Sequence, residues 1–182
     1  MQNLDTTDTT DAALATADHM LGDVHANLIL VEYGDYACPS CQQAAPLVRH
    51  LAETEGPRLC IVYRHFPMME VHPQAELAAE AAEAAAAQGK FWPMHHLLFA
   101  QPQGLEAAAL AGYAETIGLD MHRFQGAMAG RIYTQRVQEH LRAGERIGVR
   151  ATPSFFLNDA VIDVSFGFGT LSATVHAALK GR

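Results

Sequence analysis

Two sulfurs three residues apart are the most reactive feature of the chain: Cys38-Pro39-Ser40-Cys41. An apolar run, Leu28-Ile29-Leu30-Val31-Glu32-Tyr33, leads into them through a Gly34-Asp35 turn, and a helical stretch from Gln42 to Thr54 follows. The order strand, turn, dithiol, helix puts Cys38 at or near the first helical turn. There, unbonded N–H groups and the positive end of the helix dipole favour an anion. The thiolate is such an anion, and it is the reactive form of cysteine. Cys41 lies one helical turn further on the same side, within reach of a disulfide with Cys38. Pro39 suits the first helical position, where an N–H would have no partner. The same residues admit a second chemistry, because Cys38-x2-Cys41-x18-Cys60-x4-His65 falls near structural-zinc spacing. Cys60 argues against it: mid-strand between Leu59 and Ile61, its usual fate is the core.

The elements that position the dithiol follow from periodicity. Asn27 to Tyr33 reads as a strand buried on both faces. The helix from Pro39 carries Ala44, Ala45, Leu47, Val48 and Leu51 as an apolar stripe, with Pro46 inside it as a kink site. Arg58 to Arg64 is a second strand, and a strand–helix–strand unit of this length implies a parallel, right-handed crossover. Ala- and Glu-rich Gln74–Gln88 is a helix ended by Gly89. Further helical patterns cover Lys90–Gln101, Leu105–Ile117, Met121–Met128 and Ile132–Ile147. Ser154–Leu157 and Val161–Val164 read as strands joined by Asn158-Asp159, a pair suited to a hairpin turn. Leu171–Leu179 closes the chain as a helix, and Met1–Ala17, rich in Thr, Asp and Ala, reads as a mobile tail.

Composition narrows the function. The 182 residues carry 12 basic against 20 acidic side chains, a net charge of −8, which argues against nucleic acid or an anionic membrane as the main partner. No apolar run approaches the roughly 18 residues of a membrane span, so no membrane insertion is expected. Asp5, Asp8 and Asp11 occupy the place of a basic signal region, and Ala12–Ala17 is short of the about 7–15 apolar residues of a signal core. A cytoplasmic location is therefore expected for the chain as given, and an exported one if it is a mature or trimmed form. In a reducing compartment a lone Cys-x-x-Cys among three cysteines is more often catalytic or metal-binding than structural.

Several stretches together resemble the DsbA-like thioredoxin family: Val31-Glu32-Tyr33-Gly34-Asp35-Tyr36-Ala37 before the dithiol, Tyr63-Arg64-His65-Phe66-Pro67, and His72-Pro73 opening the Ala-rich helix. Gly89-Lys90-Phe91-Trp92 with His95, and Gly148-Val149-Arg150-Ala151-Thr152-Pro153-Ser154-Phe155-Phe156, complete the match. The resemblance implies an α/β thioredoxin fold, a central mixed sheet flanked by helices, formed by residues 18–66 and 149–182, with an inserted helical domain at 67–148. It implies thiol–disulfide exchange with protein or peptide thiols through Cys38 and Cys41, Cys38 being the exposed, attacking sulfur. No cofactor or metal is implied, and a redox partner is implied but not identified. Pro39 and Ser40 support the dithiol, Glu32 takes the place of the family's acidic residue beneath it, and Thr152-Pro153 matches a cis-proline loop that binds extended substrate. The alternative is a thioredoxin-like peptide- or zinc-binding module that does not turn over. Met68 and Met69 would suit either core filling or an adaptable peptide rim.

The chain departs from the best-known DsbA pattern at one place that matters. Where that pattern has His before the second cysteine, this chain has Ser40, a hydroxyl without positive charge. The Cys38 thiolate is correspondingly less stabilised and the disulfide less oxidising. Equilibration with a glutathione buffer should give a reduction potential clearly more negative than about −120 mV, the value for DsbA. A potential near that figure would remove the inference from Ser40.

Overall fold

The computed structural model describes residues 18–101 and 103–181. The expected tail, residues 1–17, lies outside them. A mixed five-stranded sheet has the order β1-β3-β2-β4-β5, where β1 is His19–Gly22, β2 Leu28–Gly34, β3 Leu59–His65, β4 Ser154–Leu157 and β5 Ala160–Ile162. Helix α1, Pro39–Glu55, joins β2 to β3, so the predicted strand–helix–strand unit is present with its two strands as neighbours. Five helices follow: α2 Ala75–Ala86, α3 Phe91–Ala100, α4 Ala107–Thr116, α5 Met121–Ala129 and α6 Thr134–Arg146. After β4 and β5, α7, Gly169–Lys180, ends the order. The fold is a thioredoxin fold carrying an additional run of helices.

The backbone divides into two units. One takes the described residues up to Glu32, Leu51–Tyr63, and those from Phe155 onward. It holds most of the sheet and α7. Sequence periodicity predicts no strand before Asn27, yet β1 pairs antiparallel with β3, His19 opposite Tyr63 and Gly22 opposite Cys60. The run His-Met-Leu-Gly does not alternate apolar with polar, so nothing marks it as a strand. Gly22 is required there: its φ is +96°, and a Cβ would lie 2.2 Å from the Leu59 carbonyl oxygen. The β4–β5 hairpin turns on Asn158 and Asp159, both with positive φ, as its two-residue length demands. Asn158 also ties the turn to β2, accepting the Ile29 N–H at Oδ1 (2.7 Å) and donating from Nδ2 to the Asn27 carbonyl (3.0 Å).

The other unit runs Tyr33–His50 and Arg64–Ser154. Its central helix is α2, packed against α3, α4, α5 and α6. Seven of its buried residues are alanines, Ala75, Ala78, Ala79, Ala81, Ala82, Ala84 and Ala85, and small side chains allow neighbours on several sides. Two buried acids interrupt that surface, and both are partnered. Glu80 receives Arg131 through Nε (2.9 and 2.8 Å) and the Thr134 hydroxyl (2.9 Å), while Glu83 bonds His65 Nε2 at 2.9 Å. A buried acid without such partners would cost several kcal/mol or give up its charge.

Gly144 of α6 packs closely against two aromatic rings. A Cβ there would sit 2.8 Å from the Phe66 ring and 2.9 Å from that of Tyr33, two rings that meet edge-on at 6.3 Å. Both rings are buried, so one of them must shift to admit a larger side chain. Gly144→Val should lower unfolding stability by about 1–3 kcal/mol in a denaturant melt, the range for overpacked cores. An unchanged midpoint would mean that α6 shifts freely at this crossing.

Candidate active site

The turn between β2 and α1 builds the site. Cys38 N–H donates to the Asp35 carbonyl (3.1 Å), and the Cys38 carbonyl accepts the first helical bond, from Gln42 N–H (3.1 Å). Cys38 is thus the N-cap of α1, and Pro39, Ser40 and Cys41 are its first three residues. Ser, Asp and Asn side chains at an N-cap take the N–H groups two and three residues on; here a sulfur does. The Cys38 acidity is raised so far that its pKa falls from 9.0 to about 5. The largest cause is a hydrogen bond from the Cys41 thiol. Burial opposes it, and bonds from the Thr152 side chain and the Cys41 and Ser40 backbone N–H groups add to it.

Cys38, Cys41 and Cys60 are not joined in disulfides. The resemblance implies an exposed Cys38, whereas the structure buries both sulfurs, leaving Cys38 7 % of its surface and Cys41 none. As a thiol, Cys38 donates to the Thr152 carbonyl at 3.3 Å. The Thr152–Pro153 bond is cis, as the resemblance implies for this loop. Cys41 Sγ accepts the Asp35 N–H at 3.5 Å. Glu32, in β2, is 2 % exposed, and its Oε1 has no hydrogen-bond partner among the described residues. Burial pushes its pKa up to about 8, so the carboxyl is a neutral acid over most of the physiological range.

Four residues of the zinc spacing have other partners or surroundings. His65 Nε2 bonds Glu83, Cys38 and Cys41 are engaged as above, and Cys60 is buried within β3, where burial and the negative charges of Asp23 and Asp18 push its pKa up. Among the described residues, no metal-ligand group includes a cysteine. His95 packs in the core, as its apolar face predicts, and its Nδ1 meets the Tyr36 hydroxyl at 3.1 Å.

Sequence reasoning passed over Asp35 and His72. The Asp35 carboxylate accepts from Ala37 N–H (2.7 Å), Met68 N–H (2.9 Å) and His72 Nδ1 (2.8 Å). A Gly-Asp pair before a helix signals a turn, and nothing local signals a histidine 37 residues away as its partner. The same loop lines a groove of about 580 Å³, with Phe66, Met68, Met69 and Val71 facing Leu141 and Val149. Met68 and Met69 therefore line an open groove rather than fill the core, and Met68 Sδ lies 3.7 Å from the Thr152 hydroxyl.

The chain matches the family described as thioredoxin over residues 15–177. The chain belongs to the thioredoxin family. Within it, the fold is that of the DsbA-like members. A thioredoxin-like oxidoreductase from Silicibacter pomeroyi DSS-3 superposes with a TM-score of 0.81 at 27 % identity, covering 93 % of this chain and 97 % of that one. Oxidised BdbD from Bacillus subtilis superposes with a TM-score of 0.77 at 22 % identity, over 90 % and 93 %. In sequence, a protein named Na(+)/H(+) antiporter NhaA 1 from Salinispora arenicola is 44 % identical over 164 residues, 90 % of this chain and 25 % of that protein. The chain spans about a quarter of the length of the curated relatives it matches.

In this thioredoxin-family site the two shifted groups pull stability in opposite directions. Between pH about 4.5 and about 8, Glu32 holds a proton in the folded chain and not in the unfolded one, so stability falls as pH rises. Between about 5 and 9.0 the unfolded chain holds the Cys38 proton and the folded one does not, so reduced-form stability rises with pH and is lost as pH falls through about 5. Across the overlap the two slopes oppose each other. Denaturant melts of reduced protein at about pH 5 and about pH 8 should show Glu32→Gln gaining stability with pH and Cys38→Ser losing it. Parallel profiles for the two variants would contradict the opposed shifts.

Proposed function

We propose that the chain is a thiol–disulfide oxidoreductase that exchanges disulfides with protein or peptide thiols through Cys38 and Cys41. The observation that carries this reading is the Cys38 sulfur, an N-cap with a pKa of about 5, facing the carbonyl of Thr152 in a cis-proline loop. In the reducing direction, the Cys38 thiolate attacks a substrate disulfide, forming a Cys38–substrate bond and releasing one substrate thiolate. Cys41, its proton removed, then attacks Cys38 Sγ. The mixed disulfide breaks, the second substrate thiolate leaves, and the electron pair lost by the dithiol has reduced the substrate. The reverse sequence oxidises a substrate dithiol.

Glu32 is assigned the proton-handling role that the resemblance implies, supported by its burial and by a pKa of about 8, which lets a carboxyl exchange protons near neutrality. Thr152 and Pro153 are assigned to the substrate backbone. The groove along Phe66–Val71 is the place for apolar residues flanking the substrate cysteine, supported by its continuity with Thr152 through Met68. The antiporter name belongs to the longer relatives. No helix among the described residues is long and apolar enough to cross a membrane, and the function proposed here is redox exchange alone.

Cys41→Ala should accumulate mixed disulfides between Cys38 and protein thiols, released by dithiothreitol and visible on non-reducing gels. The Cys38→Ala, Cys41→Ala double variant should accumulate none. Stoichiometric zinc in the purified protein, with unfolding on chelation, would favour the non-catalytic zinc-binding reading instead.

A further inference from the structure

The contacts around the two sulfurs close into a ring, and Asp35 is its hub. Through its backbone it holds both cysteines, accepting from Cys38 N–H at 3.1 Å and donating to Cys41 Sγ at 3.5 Å. Through its carboxylate, whose side-chain surface is 0 % exposed, it holds the turn at Ala37 and the loop at Met68 and His72. From that loop Met68 Sδ meets the Thr152 hydroxyl, and the Thr152 carbonyl takes the Cys38 thiol, which completes the circuit.

A carboxylate has no proton to give, so each of its three contacts is donated to it, and His72 carries its proton on Nδ1. Two of the donors are backbone N–H groups. The third belongs to His72, a side chain 21 % exposed, and it is the one that substitution removes without opening the core. A buried carboxylate deprived of a donor turns toward water or draws water in, because the unmet bond is costly. Either response loosens the turn whose N–H is aimed at Cys41.

We propose that Asp35 and His72 are a positioning pair that aims Cys41 at Cys38 and so accelerates the second step of exchange. The inference rests on the redox function proposed above. In that step a Cys41–Cys38 bond forms as the Cys38–substrate bond breaks and the substrate sulfur leaves with the electron pair. Neither member of the pair touches the reacting sulfurs with its side chain. Their effect is on geometry, and attack within one site is steeply sensitive to it.

A chromogenic aromatic disulfide separates the two steps. Cys38 attack releases one coloured thiolate and leaves the other on Cys38; Cys41 attack releases the second. His72→Ala should slow the second release relative to the first by about ten-fold. His72→Asn, whose side-chain N–H sits where Nδ1 does, should restore the ratio to within about two-fold, whereas His72→Gln, with its N–H one bond further out, should not. Equal ratios in wild type and His72→Ala would overturn the proposal, as would equal ratios in the Asn and Gln variants. Should His72→Ala fail to fold, the Asn–Gln comparison decides; failure of all three to fold would overturn it in favour of a purely structural role. A wild-type protein that shows no second release would instead defeat the redox reading itself.

Discussion

Everything in the site depends on one substitution of chemistry: a sulfur occupies the position where helices ordinarily place an oxygen. At an N-cap the backbone supplies N–H groups that nothing inside the helix can satisfy. An oxygen there stabilises the helix; a thiol there is stabilised by it, as an anion. The Gly34–Ala37 turn leads from β2 to Cys38 at that position. Pro39 has no N–H to offer, and it is the N–H groups of Ser40 and Cys41 that face the sulfur. Cys41 then adds its own thiol proton, the largest contribution to the lowered pKa of Cys38.

The buried acids show how the same residue type is set to different tasks by its partners. Glu80, Glu83 and Asp35 each meet donors, and they tie helices and loops together. Glu32 lies just as deep with Oε1 unpartnered. A carboxyl in that situation keeps its proton instead of its charge. Three acids fasten the structure; the fourth is held neutral by its burial.

Much of this was legible in the sequence. The helix start at Pro39, the Ala-rich α2 ended by Gly89 at φ +73°, and the hairpin at Asn158-Asp159 each follow from a local rule, and the structure has them within a few residues. The face of α3 formed by Phe91, Met94, His95 and Leu98 is buried, as helical spacing requires. Other features carry no local signal. Strand β1, His-Met-Leu-Gly, has no apolar–polar alternation to display, and the Asp35–His72 contact joins residues that only the fold brings together. The cis bond before Pro153 came from resemblance, since an X–Pro pair adopts cis in only about 5–6 % of cases in folded proteins.

The division of the backbone has a consequence for how such a protein can be built upon. Cys38, Cys41, Asp35, His72 and the Thr152–Pro153 loop all belong to the unit of Tyr33–His50 and Arg64–Ser154. The first and last described elements, β1 and α7, belong to the other. Glu32 belongs to that other unit as well, so a polypeptide spliced onto either end of this stretch continues from elements that share a unit with Glu32 and not with Cys38 and Cys41.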